Sequence, residues 1–261
     1  MSTAFARTAA AALDDQAQGL RRMFASAPRQ HLLPLVQNPE VAFGGVAMER
    51  LSAAFADARK HTLVVDAADT ASPPQPLARL DLGACIERLA PGVSYLAARG
   101  LPITHLDARG STAGFIDALL QAAPRADVLL VHADASDLCR LFARRTPRPV
   151  LLASDDLPSL APAYAAMKWI AQRLGVLCFD LLIAADAKSE NAERIAERLA
   201  GCGERFLGAA IANWALVDPA SIDLDTVSPA LARLASGQLL CGASLHGEAA
   251  LPLQQPHPAF A

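Results

Sequence analysis

From residue 31 onward, short apolar runs alternate with longer stretches in which apolar side chains recur every three or four positions. Runs of this length are typical of buried β-strands, and the longer period is typical of helices that pack on one side. The pattern predicts strands at residues 31–36, 62–66, 93–97, 126–132, 149–153, 177–184 and 206–212. It predicts helices at residues 46–59, 77–89, 112–122, 160–174 and 189–200, the last with Ser189 as its N-cap, and a further element at 227–236.

The predicted strands are almost continuously apolar, as strands are when helices cover both faces of a parallel sheet. Their alternation with helices, joined by right-handed crossovers, indicates an α/β fold with a doubly wound, mainly parallel sheet flanked by helices. With 261 residues, of which 53% are hydrophobic, the chain is long enough to form this fold as one large domain. We therefore expect an α/β domain over residues 31–250, preceded by residues 1–30 and followed by a proline-containing tail, residues 251–261.

A separate amphipathic helix is predicted ahead of this domain. Leu13, Ala17, Leu20 and Phe24 are spaced four, three and four positions apart, which places them on one face of a helix. The helix should end before Pro28, and residues 25–30 have the composition of a hinge. We expect this helix to stand apart from the α/β domain.

Charge and apolar content argue against two classes of partner. A formal net charge of −3 provides no overall attraction to nucleic acid or to anionic lipid. No apolar run approaches the roughly 18 residues that span a membrane, and the prolines of the tail prevent an amphipathic membrane helix. The five cysteines form no CxxC pair and have no histidine at metal-ligand spacing, which favours the reducing cytoplasm. We expect a cytoplasmic protein with no nucleic-acid partner and no direct membrane anchor.

The turn after the first strand is where ligands bind in a doubly wound fold. A phosphate-binding turn needs glycines whose N–H groups approach the phosphates, a lysine, and a Ser or Thr hydroxyl for magnesium. Residues 37–45 contain no lysine, serine or threonine. Pro39 lacks an N–H and Glu40 is negatively charged, so neither suits a phosphate. Gly44 and Gly45 are compatible with an ordinary turn or with a residual phosphate contact, and we favour the ordinary turn.

Two further strand ends carry side chains of interest. Asp66 ends the second strand, where a carboxylate is well placed for magnesium. His132 ends the strand at 126–132, where an ATPase would need a carboxylate for the magnesium shell. Asp66, His132 and Asp134 could together bind a metal, but a packed His132 is the simpler interpretation. Since the sequence also lacks GxSxG and HExxH motifs, we predict no enzyme activity, no bound metal and no cofactor.

Residues 15–21 read DQAQGLR. This segment resembles the DQAxxLR activator motif of the FlhG family, also called FleN, of MinD-like ATPases. The matching positions are Asp15, Gln16, Ala17, Leu20 and Arg21. In that family the motif is a short helix, tethered ahead of the ATPase body, that binds the signal-recognition-type GTPase FlhF and stimulates its GTP hydrolysis. The alternative is an ordinary amphipathic first helix.

Much of residues 13–212 is similar to this family in patches, which implies a P-loop NTPase fold of the MinD type. The resemblance places the family's two phosphate-loop lysines on Pro39 and Gly44 and its loop threonine on Gly45. It places the family's later strand-end aspartate on His132. These departures imply that the MinD/ParA-type nucleotide site is degenerate and that ATPase activity is lost.

The resemblance implies a flagellar biosynthesis regulator that controls flagellar number or placement by stimulating an FlhF-like GTPase. The partner-binding residues would be the five motif residues and Phe24. Recruitment to the cell pole would follow from the partner, and flagellar switch or regulatory proteins are further expected partners. Two alternatives stay open: a divergent ATPase that grips nucleotide through Gly44, Gly45 and Asp66, and a scaffold protein of another polar complex.

Overall fold

The computed structural model describes residues 30–221 and 226–244. The predicted helix around residues 13–24 and the tail 251–261 lie outside the described residues. The predictions for these two segments, and the domain divisions based on them, therefore stay predictions.

The described chain forms an eight-stranded sheet in the order β3-β4-β2-β5-β1-β6-β7-β8. All neighbouring strands are parallel except β3, which runs antiparallel to β4 at one edge. The strands are β1 His31–Val36, β2 Thr62–Asp66, β3 Glu87–Ala90, β4 Val93–Ala97, β5 Val128–Ala133, β6 Val150–Ser154, β7 Cys178–Ala184 and β8 Ala210–Val217.

Among the described residues, six α-helices cover the two faces of the sheet. They are α1 Gly44–Asp57, α2 Ala113–Ala122, α3 Ala135–Leu141, α4 Leu157–Leu174, α5 Asn191–Leu207 and α6 Pro229–Ser244. Helices α1 and α6 share one apolar core with one face of the central strands. The other four helices pack in a second core on the opposite face. The α/β fold class and the mainly parallel, two-sided sheet are therefore confirmed.

Burial of the central strands explains why their sequences are nearly all apolar. Every residue of β2 and β5 is buried, and β1 is buried from its third residue. Side chains of successive residues point to opposite faces, so both faces need apolar residues when helices cover both. The polar exceptions among these buried positions lie at strand ends or one residue from them: Thr62, Asp66 and His132.

One predicted helix is wrong. Residues 77–89 form two short 3₁₀ helices, Pro76–Arg79 and Gly83–Cys85, followed by β3. The carboxylate of Asp81 accepts a hydrogen bond from the N–H of Ala84 at 3.0 Å, which starts the second turn locally. Leu80 is 88% exposed, so the apolar spacing here does not mark a buried helix face.

Other boundaries also differ from the prediction. The helix predicted at 189–200 begins at Asn191 and continues to Leu207, and its N-cap is Glu190 rather than Ser189. It ends at Gly208, which adopts the left-handed conformation that commonly stops a helix. The strand predicted at 206–212 therefore begins only at Ala210. Helix α3 was not predicted, although its N-cap Asp134 is a recognisable start signal.

Within the described ranges, no helix is both long enough and apolar enough to cross a membrane.

Candidate functional site

The loop between β1 and α1 lies at the carboxyl edge of the sheet, between the ends of β5 and β6. Its first residue, Gln37, donates its N–H to the carbonyl of Ala133 at 2.8 Å, which continues the β1–β5 pairing. This central position is where a doubly wound sheet forms its ligand crevice. A phosphate-binding turn would therefore lie in this loop.

Asn38 fixes the conformation of this loop. Its side-chain NH₂ donates to the carbonyls of Leu152, at 2.8 Å, and Ser159, at 2.9 Å. Its side-chain oxygen accepts from the N–H of Glu40 at 3.0 Å. Asn38 is 3% exposed, so these bonds are shielded from water. The loop is thus tied to β6 and to the first turn of α4, a role that sequence reasoning missed even though Asn commonly starts such turns.

The outward side chains of the loop are unsuited to phosphate. Pro39 and Glu40 are exposed, and Phe43, the residue before α1, is 54% exposed. Val41 is buried in the core beneath them. The loop therefore presents a carboxylate and an aromatic ring to solvent.

Asp66 and His132 form a buried pair behind the loop. They are register partners on β2 and β5, and Nδ1 of His132 lies 2.9 Å from Oδ1 of Asp66. His132 is 4% exposed and Asp66 is 8% exposed. Asp66 also accepts a bond from the N–H of Ala68 at 3.3 Å. A carboxylate accepts hydrogen bonds, so the contact with Asp66 favours a proton on Nδ1 of His132.

The His132 ring packs against the first residue of α1. A Cβ added to Gly44 would lie 3.7 Å from Cε1 and 3.8 Å from Nε2 of His132. Those are ordinary contact distances, so a methyl group fits, but a longer side chain directed toward the ring would collide with it. A Cβ at Gly45 would meet no atom within 4 Å. The imidazole thus occupies space beside Gly44, whereas Gly45 faces open space.

Nε2 of His132 is buried and has no hydrogen-bond partner among the described residues. Buried polar atoms in native structures are usually satisfied, so a buried nitrogen without a partner needs an explanation. The atom lies beside the first residue of α1, since a Cβ at Gly44 would be 3.8 Å from it.

The structure brings Asp66, His132 and Gly44 together but does not assemble a metal site. Asp134, the third member of the conceivable metal set, instead caps α3, since its carboxylate accepts from the N–H of Asp137 at 2.8 Å. No group of three or more His, Cys, Asp or Glu side chains in the described ranges is arranged to hold a metal ion.

Carboxylates follow the strands near β1 in the sheet. Asp69 follows β2, and Asp134 and Asp137 follow β5. Burial raises the pKa of Asp137, and the charges of Asp134 and Asp69 raise it further, whereas Arg140 opposes them. We call Glu40, Asp69, Asp134 and Asp137 the acidic edge. Asp155, Asp156 and Asp186 follow β6 and β7 at the same edge of the sheet, whose basic side chains include Arg99 and Lys188.

A buried polar network lies at the opposite edge and holds α6 on the sheet. Asp180 is fully buried on β7 and lies 3.1 Å from Nη2 of Arg148. Gln238 of α6 donates to Asp180 at 2.8 Å and lies 3.2 Å from Nε2 of His31. Burial raises the pKa of Asp180, and Arg148 opposes that effect. Because it links β1, β7 and α6 to the loop before β6, this network has a structural role.

The motif residues Asp15, Gln16, Ala17, Leu20 and Arg21, together with Phe24, lie outside the described residues.

Neither a protein-family model nor a curated protein sequence matches the chain. Solved structures do match it in fold. The cell division protein MinD of Aquifex aeolicus has a TM-score of 0.53 at 12% identity, covering 86% of this chain and 100% of that one. MinD of Pyrococcus furiosus has a TM-score of 0.54 at 13% identity, covering 80% and 98%. Cobyrinic acid a,c-diamide synthase of Mycobacterium smegmatis, solved with ADP and magnesium, has a TM-score of 0.56 at 13% identity, covering 83% and 96%. The chain therefore has the MinD-like P-loop NTPase fold.

Proposed function

We propose that this chain is a flagellar biosynthesis regulator that uses a MinD-like body without a working nucleotide site and acts by binding protein. It binds an FlhF-like GTPase through a helix containing Asp15, Gln16, Ala17, Leu20, Arg21 and Phe24, stimulates GTP hydrolysis, and so controls flagellar number or placement. It acts in the cytoplasm and reaches the cell pole through its partner. The observation that carries the loss of ATPase function is the packing of the Asp66-paired His132 ring against Gly44.

The chemistry of the loop opposes nucleotide binding. Binding a nucleoside triphosphate needs cationic groups or magnesium beside its phosphates. The loop at 37–45 contains no cationic side chain, and His132 fills space beside Gly44, onto which the family's lysine aligns. Adding a lysine there would require the ring to move.

The charges at this edge of the sheet also oppose nucleotide binding. The acidic edge follows three neighbouring strands around the loop. Like charges close together are costly, so phosphates placed here would be repelled rather than attracted. A protein partner can bind here without placing phosphate groups beside these carboxylates.

The activator role rests on the motif at residues 15–21. A helix inserted beside a GTP site can order the attacking water or stabilise charge in the transition state, and Gln16 and Arg21 have the side chains for those tasks. Leu13, Leu20 and Phe24 supply the apolar face that a helix needs to bind in a groove.

The test is GTP hydrolysis by the FlhF-like GTPase with and without this chain. Gln16→Ala should lose most of the stimulation, whereas Gln18→Ala, a matched change at a position the motif leaves free, should retain it. Leu20→Asp should abolish binding of the two proteins. Equal stimulation by the Gln16 and Gln18 variants would refute the motif's role.

A divergent ATPase is the second candidate, and the open space at Gly45 is the observation that favours it. A nucleotide that binds the folded chain raises its melting temperature by mass action. An increase of several degrees with ATP or ADP and magnesium would favour this candidate. The proposed function predicts no change. A scaffold of another polar complex would show neither nucleotide binding nor GTPase stimulation.

A further inference from the structure

We propose that the outer edge of β8 is an interaction surface for a second copy of this chain, and that the two β8 strands pair antiparallel and join two sheets into one. This surface lies at the opposite end of the strand order from β3 and away from the loop between β1 and α1. The pairing does not depend on the proposed GTPase partner.

β8 ends the sheet with one side unpaired. It pairs with β7 on its inner side, and no strand among residues 30–221 and 226–244 pairs with its outer side. The carbonyl of Val217 accepts a hydrogen bond from the N–H of Ala185 at 3.0 Å, so the backbone of residue 217 points toward β7. Because successive residues of a strand point their N–H and C=O groups to alternate sides, Trp214 and Leu216 present theirs at the free edge.

The two edges of the sheet differ in how they are protected against pairing with another chain. β3 has four residues, carries Glu87 and Arg88, and has an irregular register, and such features protect an edge strand. β8 has eight residues, AIANWALV, with no charged residue and no proline. Its register irregularity lies before Asn213, which leaves residues 213–217 in regular register. An edge of this kind is a template for another strand, so we expect it to be covered.

Residues 213–217 are complementary to a second copy of themselves. When two copies pair antiparallel about Ala215, Trp214 of each copy lies opposite Leu216 of the other, and each of these pairs exchanges both of its N–H···O bonds. Trp214 is 39% exposed, and Leu216 is partly buried on the face of the sheet that α5 covers. Side chains two residues apart share a face, so the pairing covers the exposed indole ring with an apolar side chain in both copies.

The charges at the two ends of β7 and β8 favour a second copy in the antiparallel direction. The carboxyl ends of these strands are followed within four residues by two aspartates and one lysine: Asp186, Asp218 and Lys188. The amino ends are preceded by the last turns of α4 and α5, which contain two arginines and one glutamate: Arg173, Arg205 and Glu204. Antiparallel pairing places the acidic end of each copy beside the basic end of the other, whereas parallel pairing would place like charges together.

The small size of this contact predicts a weak and reversible dimer. Pairing of one short strand segment, with one aromatic contact from each copy, places the interface below about 1,200 Å², which is the class of transient interfaces. A dimer of this class has a dissociation constant on the order of 10 µM. The chain should therefore be monomeric when dilute and dimeric when concentrated.

The test is sedimentation velocity of the full chain at concentrations from about 1 µM to about 200 µM, across which the native chain should change from monomer to dimer. Trp214→Ala should weaken the dimer about threefold, because the ring is lost. Trp214→Pro should weaken it at least about tenfold, because proline also lacks the N–H that pairs with the second copy. That N–H points away from β7, so β8 is retained, which an unchanged melting temperature will verify.

Trp169 provides the matched control. It is 42% exposed, which is close to the exposure of Trp214, but it lies on α4, which packs against β6 and α5. Trp169→Ala should change the dissociation constant of the dimer by less than about twofold. The proposal is overturned if the chain stays monomeric at about 200 µM, or if the Ala and Pro variants at position 214 lose the same affinity, since the backbone of β8 would then not be the contact.

Amide hydrogen exchange identifies what covers the edge. Exchange at Trp214 and Leu216 should be fast in dilute samples and should slow as the concentration of the chain rises. Exchange that is slow at every concentration would mean that another part of the same chain covers β8, and the proposal would be wrong.

A charge exchange tests the direction of pairing. Arg205→Glu and Asp218→Lys should each weaken the dimer about threefold, and the double variant should recover most of that loss, because each copy then presents the reversed pair. Losses that simply add in the double variant would exclude the antiparallel arrangement. None of these measurements includes a GTPase, so failure of the proposed function would be seen separately.

Discussion

Nδ1 of His132 lies 2.9 Å from Oδ1 of Asp66, and the two side chains are register partners at the ends of β5 and β2. The pair closes the space behind Gly44 with an imidazole ring. In a P-loop NTPase fold this is the place where cationic and magnesium-binding groups would be needed.

Gly44→Val should destabilise the chain by about 1–3 kcal/mol, because side-chain atoms beyond Cβ would press on the His132 ring. Gly45→Val is the matched control, since position 45 has open space, and it should cost much less. Urea unfolding measures both. In a double-mutant cycle, His132→Ala should remove most of the Gly44→Val penalty. Equal costs at positions 44 and 45 would contradict the packing described.

Asp66→Ala should destabilise the chain by about 2–3 kcal/mol, because it leaves Nδ1 of His132 buried without an acceptor. Asp66→Asn should cost less, since its side-chain oxygen can still accept. Asp69 is an exposed carboxylate in the loop that follows β2, so Asp69→Ala should change the free energy of unfolding by no more than about 0.5 kcal/mol. If the changes at 66 and 69 have the same effect on unfolding, the buried pair is not important for stability.

Asn38→Ala should lower the free energy of unfolding by about 2–3 kcal/mol, because the carbonyls of Leu152 and Ser159 lose buried hydrogen-bond donors. Asn38→Asp should be no better, since a carboxylate cannot donate to them. Glu40 is exposed in the same loop, so Glu40→Ala is the control for the free energy of unfolding. Hydrogen exchange should show faster opening of residues 38–43 in the Asn38 variants, and unchanged exchange would contradict its role in holding the loop.

Stability should fall as pH decreases through about 6.5 because of His31. Burial lowers the pKa of His31, the bond to Gln238 opposes this, and the charge of Arg148 lowers it further. Since the folded pKa lies below the unfolded one, the unfolded state binds the proton first. The stability that His31 provides is therefore complete above pH 6.5 and is lost progressively below it.

The pH effect is isolated by comparing the native chain with His31→Gln between pH 8 and pH 5. Asp180, Arg148 and Gln238 are present in both, so the raised pKa of Asp180 affects both curves alike. The difference in unfolding free energy should shrink or reverse toward acid pH. A difference that is constant across this range would exclude His31 as the titrating group.

The sheet and most helices could be predicted from the sequence because burial imposes a regular pattern. Strands such as β1 and β2 were located to the residue, since their side chains fill cores on both faces. Residues 77–89 could not be predicted, because Leu77, Leu80 and Leu89 are largely exposed there and their spacing does not reflect packing. The end of α5 depended on a single conformational signal, Gly208, rather than on periodicity.

Only part of the candidate site could be predicted from the sequence. The absence of a lysine and a hydroxyl side chain from 37–45 is visible in the sequence, and so are Asp66 and His132 at strand ends. Their pairing, and the packing of His132 on Gly44, depend on the strand order that places β5 beside β2. Asn38 and the shared acidic edge were missed for the same reason, since their partners are distant in sequence.

The most direct test of the central claim measures GDP production by the FlhF-like GTPase with this chain present, first without adenine nucleotide and then with ATP and magnesium. The account predicts stimulation in the first condition and the same stimulation in the second, because binding does not depend on ATP. Stimulation that requires ATP would show that the body still uses nucleotide, and no stimulation in either condition would contradict the activator role.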